Sequence, residues 1–189
     1  EVVKGPASSL FGGGPLGGIV NLVSKRPDDK QDFLDVQVST GSYNLVEGAV
    51  DANLRLDPRG AVTARFVALY RDSDSFVNNA GYNRLYLQPS LSWRPGPDTS
   101  LTLIGTLKRD HDNPWAPLNA YGTVFPLEGG YRLPLDFAVG EDGDEKAVQN
   151  ENRKTISAIL EHGFTDRLKF SATARYMHRT TFWDRWMFA

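Results

Sequence analysis

From residue 32 onward the chain repeats one pattern: about ten residues that alternate between apolar and polar side chains, then a turn. Residues two apart in an extended strand share a face, so each such run has one apolar and one polar side. Leu34, Val36, Val38 and Thr40 fall opposite Asp35, Gln37 and Ser39. In residues 45–56, Val46, Val50, Ala52, Leu54 and Leu56 oppose Glu47, Asp51, Asn53 and Arg55. In residues 61–71, Val62, Ala64, Phe66, Ala68 and Tyr70 oppose Thr63, Arg65 and Arg71, although Val67 and Leu69 interrupt the polar side. Leu85, Leu87, Leu91 and Trp93 oppose Arg84, Tyr86, Gln88, Ser90 and Ser92; Leu101, Leu103 and Leu107 oppose Thr102, Thr106 and Lys108. A last hairpin, 152–164 with 167–180, carries Ile156, Ala158, Leu160, Leu168, Phe170, Ala172, Ala174 and Tyr176 on one side. Its other side holds Thr155, Ser157, Glu161, Lys169, Ser171, Thr173, Arg175 and Arg179. The pattern predicts an all-β chain with about seven antiparallel strands.

Strand length then separates two architectures. A soluble β-sandwich alternates in the same way, with one buried and one wet face. Its strands, however, are usually about five or six residues long, whereas these runs approach the length of a tilted membrane-crossing strand. The connections also alternate, with short turns at 57–60, 95–98 and 164–166 and longer loops at 72–82 and 111–150. Transmembrane barrels have that asymmetry. The turn at 41–44 is the exception and has to be a short loop at the long-loop end. Tyr70, Trp93, Phe164 and Tyr176 are expected near strand ends on the apolar side, where a bilayer interface lies. About seven strands leave open edges that lipid cannot satisfy, so the reading is a partial antiparallel transmembrane β-barrel, cut from a larger one. The chain begins inside the strand-like Glu1-Val2-Val3 and stops at Trp186-Met187-Phe188-Ala189, which fits a fragment.

The first 27 residues differ from the rest. Gly12-x-Gly14-x-x-Gly17 matches a dinucleotide-binding string, but Pro15 interrupts it, and Gly18-Ile19-Val20-Asn21-Leu22-Val23 reads as a strand where that motif needs a helix. The stretch is therefore expected to be a tight glycine turn between two strands, closed by Lys25-Arg26-Pro27. Cysteine is absent, so thiolate metal sites and cysteine nucleophiles are excluded. His111, His162 and His178 lack metal-ligand spacing, and Glu141-Asp142-Gly143-Asp144-Glu145 lacks the calcium-loop pattern, so no metal site is expected. A net charge of −2 offers no basic field for nucleic acid. No motif supplies a serine or histidine constellation, so no enzyme and no cofactor are expected.

The opening string resembles the end of the plug domain of TonB-dependent siderophore receptors. The matching residues are Glu1-Val2-Val3-Lys4-Gly5-Pro6, Leu10-Phe11-Gly12, Pro15-x-Gly17-Gly18 and Asn21-Leu22-Val23-Ser24-Lys25-Arg26-Pro27. Gly41-Ser42-Tyr43-Asn44, Arg71-Asp72-Ser73-Asp74-Ser75-Phe76, Pro89-Ser90-Leu91-x-Trp93 and Arg132-Leu133-Pro134-Leu135-Asp136-Phe137 are similar to the barrel of that family, and the last string to its ferrichrome or hydroxamate branch. The resemblance implies residues 1–27 as the C-terminal part of a plug and residues 28–189 as the N-terminal part of a plugged barrel of about 22 strands in a Gram-negative outer membrane. It implies import of a ferric siderophore, hydroxamate in type, driven by the TonB complex acting on a segment outside this chain; receptors of the same family for cobalamin, haem or sugar, and a passive porin-like barrel, are the alternatives. It also implies ligand contacts at Phe11 on the plug, at Trp115 on the wall and, more loosely, at Tyr121. Phenylalanine at 11 keeps aromatic surface but lacks the hydroxyl that tyrosine brings there in hydroxamate receptors. Lumen-facing Arg65, Arg84, Lys108, Arg175 and Arg179 are expected to be hydrated or paired with the plug.

Overall fold

The computed structural model describes residues 2–4, 18–20, 23–113, 118–138 and 148–184. Two short strands, β1 (Val2–Lys4) and β2 (Gly18–Val20), pair antiparallel. Seven longer ones form a single antiparallel sheet in chain order: β3 (Phe33–Gly41), β4 (Leu45–Arg55), β5 (Val62–Asp74), β6 (Gly81–Gly96), β7 (Thr99–Asn113), β8 (Val148–Gly163) and β9 (Lys169–Asp184). Each strand pairs with its chain neighbours, and β3 and β9 are the open edges of this sheet.

The register carries the predicted alternation across the whole sheet. Val36 pairs with Val50, Ala52 with Phe66, Leu91 with Leu103 and Leu160 with Ala172, so apolar rows run across one face. Asn53 pairs with Arg65, Arg84 with Asp110 and Ser157 with Arg175 on the other. Burial is inverted relative to a water-soluble core. Asp51, Asn53, Thr63, Gln88, Ser90, Ser92, Thr102, Glu151 and Ser157 are buried, while Leu34, Val36, Val38, Phe66, Leu103, Ile156 and Phe170 are exposed. An apolar outer surface around a polar interior is the distribution of a barrel wall in lipid.

The strands outrun the amphipathic runs. Residues 72–82, expected as a long loop, are ladder at both ends: Asp72 pairs with Asn83 and Asp74 with Gly81, leaving a connection of 75–80. The backbone ladder needs no apolar side chains once it leaves an apolar environment, so alternation marks only part of each strand. The 111–150 loop likewise shrinks at both ends. For the same reason Tyr176 lies mid-strand, since β9 continues to Asp184. The glycine turn expected around Gly12–Gly17 lies outside the described residues. Val2 pairs with Val20 and Lys4 with Gly18, so a long connection joins β1 to β2, and its residues 5–17 lie outside the described ones.

The turns at the short-turn end have local causes. In Asp57-Pro58-Arg59-Gly60 the Gly60 amide donates to the Asp57 carbonyl at 3.1 Å, with Gly60 at φ +69°. The Asp57 carboxylate accepts from the amides of Arg59 (2.7 Å), Ala61 (3.0 Å) and Val62 (3.0 Å). Loss of hydration opposes ionisation there, but the amides of Ala61, Arg59, Val62 and Gly60 together outweigh it and hold the carboxyl below its ordinary pKa. A depressed folded-state pKa stabilises the turn above the unfolded value of about 3.9 and loses that stabilisation as pH falls through the folded value. Amide exchange at Arg59, Ala61 and Val62 is therefore expected to quicken in acid, and Asp57→Ala to make it fast at neutral pH; an acid-independent exchange rate in the unmutated turn would contradict this.

At the opposite end Tyr43 and Asn44 both adopt positive φ, 59° and 55°, as in a two-residue hairpin turn. The Tyr43 carbonyl accepts from Asp74 N at 2.8 Å, and Asn44 Nδ2 donates to Asp74 Oδ2 at 2.6 Å. These bonds place 41–44 beside the β5–β6 tip, at the long-loop end as expected.

Candidate functional site

Two polar clusters occupy the inner face. In the first, residues 25–32 cross the wall at β4, β5 and β6. The Asp51 carboxylate takes Lys25 Nζ at 2.6 Å and Arg65 through both oxygens, Nε–Oδ1 2.8 Å and Nη2–Oδ2 2.7 Å. That fork geometry directs both charge and orientation. Arg65 Nη1 also donates to the Arg26 carbonyl at 2.9 Å, and its guanidinium lies 5.1 Å from the Phe33 ring centroid. Asn53, 2% exposed, makes three bonds: it accepts from Asp28 N (2.9 Å) and donates to the carbonyls of Asp28 (2.8 Å) and Gln31 (2.7 Å). Gln88 Nε2 donates to the Lys25 carbonyl at 2.9 Å, while its Oε1 accepts from Tyr86 OH at 2.6 Å. Arg55 pairs with Asp32 at 3.1 Å, Arg94 with Asp29, and Arg26 with Glu161 at 3.6 Å.

The second cluster is a ladder of charge across β6 to β9. Arg84 holds Asp110 through two bonds of 2.8 Å. Lys108 lies 2.5 Å from Asp110 and 3.6 Å from Glu151. Glu151 also takes Arg153 at 2.7 Å and Arg179 at 2.6 Å. Two carboxylates thus serve four cations, with Lys108 shared between them. Arg175 donates Nε to Ser157 Oγ at 3.0 Å.

The five cations expected on the inner face are there. Arg65 meets the segment arriving from the N-terminal side, whereas Arg84, Lys108 and Arg179 meet wall carboxylates. The sequence places Asp51, Asn53 and Gln88 on the polar faces without showing what they hold, and Asp110 and Glu151 fall outside the alternating runs singled out there. Their signal was their parity: each shares a strand face with the cations. No group of His, Asp or Glu capable of holding a metal occurs among the described residues.

Of the expected ligand contacts, Phe11 and Trp115 lie outside the described residues. Tyr121 is 65% exposed in the loop 118–138, bridged to Phe125 with ring centroids 5.8 Å apart. That loop is closed on itself by Gly122 N to Phe125 O (2.7 Å), Leu133 N to Gly122 O (2.8 Å) and Arg132 Nη1 to Thr123 O (2.9 Å). Asn78 N to Asp136 O (2.9 Å) docks it on the β5–β6 tip.

No family model matches the chain. The metal-pseudopaline receptor of Pseudomonas aeruginosa strain PAO1 is 35% identical over 94% of this chain and 24% of its own length. The ferrichrome outer membrane transporter and phage receptor of Escherichia coli K12 is 29% identical over 96% of this chain and 24% of its own. Among solved structures, the ferric-catecholate import receptor Fiu of E. coli K12, in its open form, superposes with a TM-score of 0.85 over 96% of this chain and 28% of that one. At 19% identity that likeness speaks for the fold alone. The chain spans about a quarter of the length of the curated relatives it matches.

Proposed function

We propose, for a chain that belongs to the TonB-dependent siderophore-receptor family and forms part of its outer-membrane barrel, that the whole protein imports a ferric siderophore of hydroxamate type by ligand-gated active transport. The observation that carries the reading is the seven-strand wall with an apolar outside, a charged inside and an N-terminal segment seated on that inside. A passive pore has no use for a preceding segment that occupies its lumen. We assign residues 1–27 to the plug and 28–189 to the wall, with outer-membrane lipid as the solvent of the apolar face. The energy source is the TonB complex, acting on a plug segment outside this chain. The ferrichrome relative supports the hydroxamate class. The metal-pseudopaline relative, more similar in sequence, favours a different metal chelate as the second reading.

The test is uptake of labelled ferric hydroxamates by the full-length protein in an iron-starved, receptor-null host. Uptake is expected with functional TonB and not without it. TonB-independent uptake overturns active transport, and uptake of ferric or metal–pseudopaline chelates alone overturns the hydroxamate class. Phe11→Ala and Trp115→Ala are each expected to weaken ligand binding about tenfold, the scale of one lost aromatic anchor, with barrel insertion unchanged. Equal affinity would return both aromatics to packing.

A further inference from the structure

We propose that residues 25–32, the last three residues assigned to the plug and the first five assigned to the wall, are a fixed anchor on the inner face, and that movement of the plug upstream ends before Lys25. The wall holds the main chain of this segment, not only its side chains. The carbonyls of Lys25, Arg26, Asp28 and Gln31 and the amide of Asp28 are taken by Gln88, Arg65 and Asn53. Ion pairs then reach β4 through Asp51 and Arg55, β6 through Arg94 and β8 through Glu161. Contacts to several strands at once resist a pull in any single direction.

Packing adds an independent reason. Gly60 stands in the β4–β5 turn against this segment, and a Cβ there would lie 3.1 Å from the Asp29 carbonyl oxygen. Pro27 is buried. The polar anchor is also well satisfied internally, since a buried amide such as Asn53 that lost its three partners would carry the cost of three unmade bonds. The anchor rests on the plug assignment made above, and it can be measured without transport.

The experiment is force spectroscopy on the full-length protein in a membrane, pulled from its N-terminus. Extension of the upstream domain is expected to stop at residue 24. A separate yield then releases 25–32, adding about 27 Å at the extended reach of about 3.4 Å per residue. Asn53→Ala is expected to merge that yield with the preceding one. Continuous extension of the unmutated protein into β3, or a separate yield that Asn53→Ala leaves at the same force, overturns the proposal. Should Asn53→Ala fail to assemble, Gln88→Ala removes one carbonyl contact and is expected to lower the force of the same yield. Hydrogen exchange gives a second readout. The Asp28 amide is expected to exchange as slowly as the β4 amides, and at least about tenfold faster once its acceptor Asn53 Oδ1 is removed. Loop-like exchange in the unmutated protein overturns the anchor.

Discussion

Leu103→Arg is expected to destabilise the inserted barrel by about 2–4 kcal/mol. Leu103 faces outward in β7, between Leu91 of β6 and Ala158 of β8, and is 43% exposed. A guanidinium at that level of a bilayer costs about 2–4 kcal/mol, and loss of the leucine removes apolar contact as well. Against a net stability of about 5–15 kcal/mol, that is a large share. Thr173→Arg, on the inward face of β9, is the control and is expected to cost less than Leu103→Arg, because the polar side of a barrel wall accepts charge that its lipid side does not. Urea unfolding of the full-length protein in vesicles measures both. Leu103→Trp separates membrane from packed core: fluid lipid accommodates the larger ring, whereas overpacking a protein interior costs about 1–3 kcal/mol. A destabilising Leu103→Trp together with a tolerated Leu103→Arg would refute the lipid-facing assignment.

Glu151→Gln is expected to be the most damaging change on the polar face. One carboxylate, itself buried, answers Lys108, Arg153 and Arg179. Neutralising it leaves three cations within a few ångströms of one another. Removing one partner from a buried ion pair costs about 3–5 kcal/mol, but Arg153 and Arg179 keep part of their surface in water, which screens them and brings the expected loss to about 2–3 kcal/mol. The loss should shrink in high salt, because screening relieves repulsion between the exposed guanidinium groups. Adding Arg179→Gln to Glu151→Gln is expected to restore part of it, which a double-mutant cycle measures. A salt-independent loss, or no coupling between the two positions, would show that the ladder does not act through charge.

The strand count, the order of short and long connections and the assignment of faces were legible before any coordinates. Each rests on a local regularity: Leu34, Val36 and Val38 share a face because the side-chain period of a strand is two. Boundaries were less legible. The β5–β6 ladder runs on to Asp74 and Gly81 through Asp72, Ser73 and Asn83, residues without the apolar alternation that reveals a strand. Tyr121 was found on a self-closed surface loop, which no spacing rule predicts.

The alternation of side chains alone thus determined an all-β wall with one apolar and one charged side, because the pleat converts every second residue into a face. Which charges meet was decided only by the register between strands and by the path of residues 25–32. Lys25 and Asp51 lie 26 residues apart and Gln88 lies 63 from the Lys25 carbonyl that it binds. Such pairs have no sequence period to betray them, because they exist only when separate strands are aligned by their backbone hydrogen bonds.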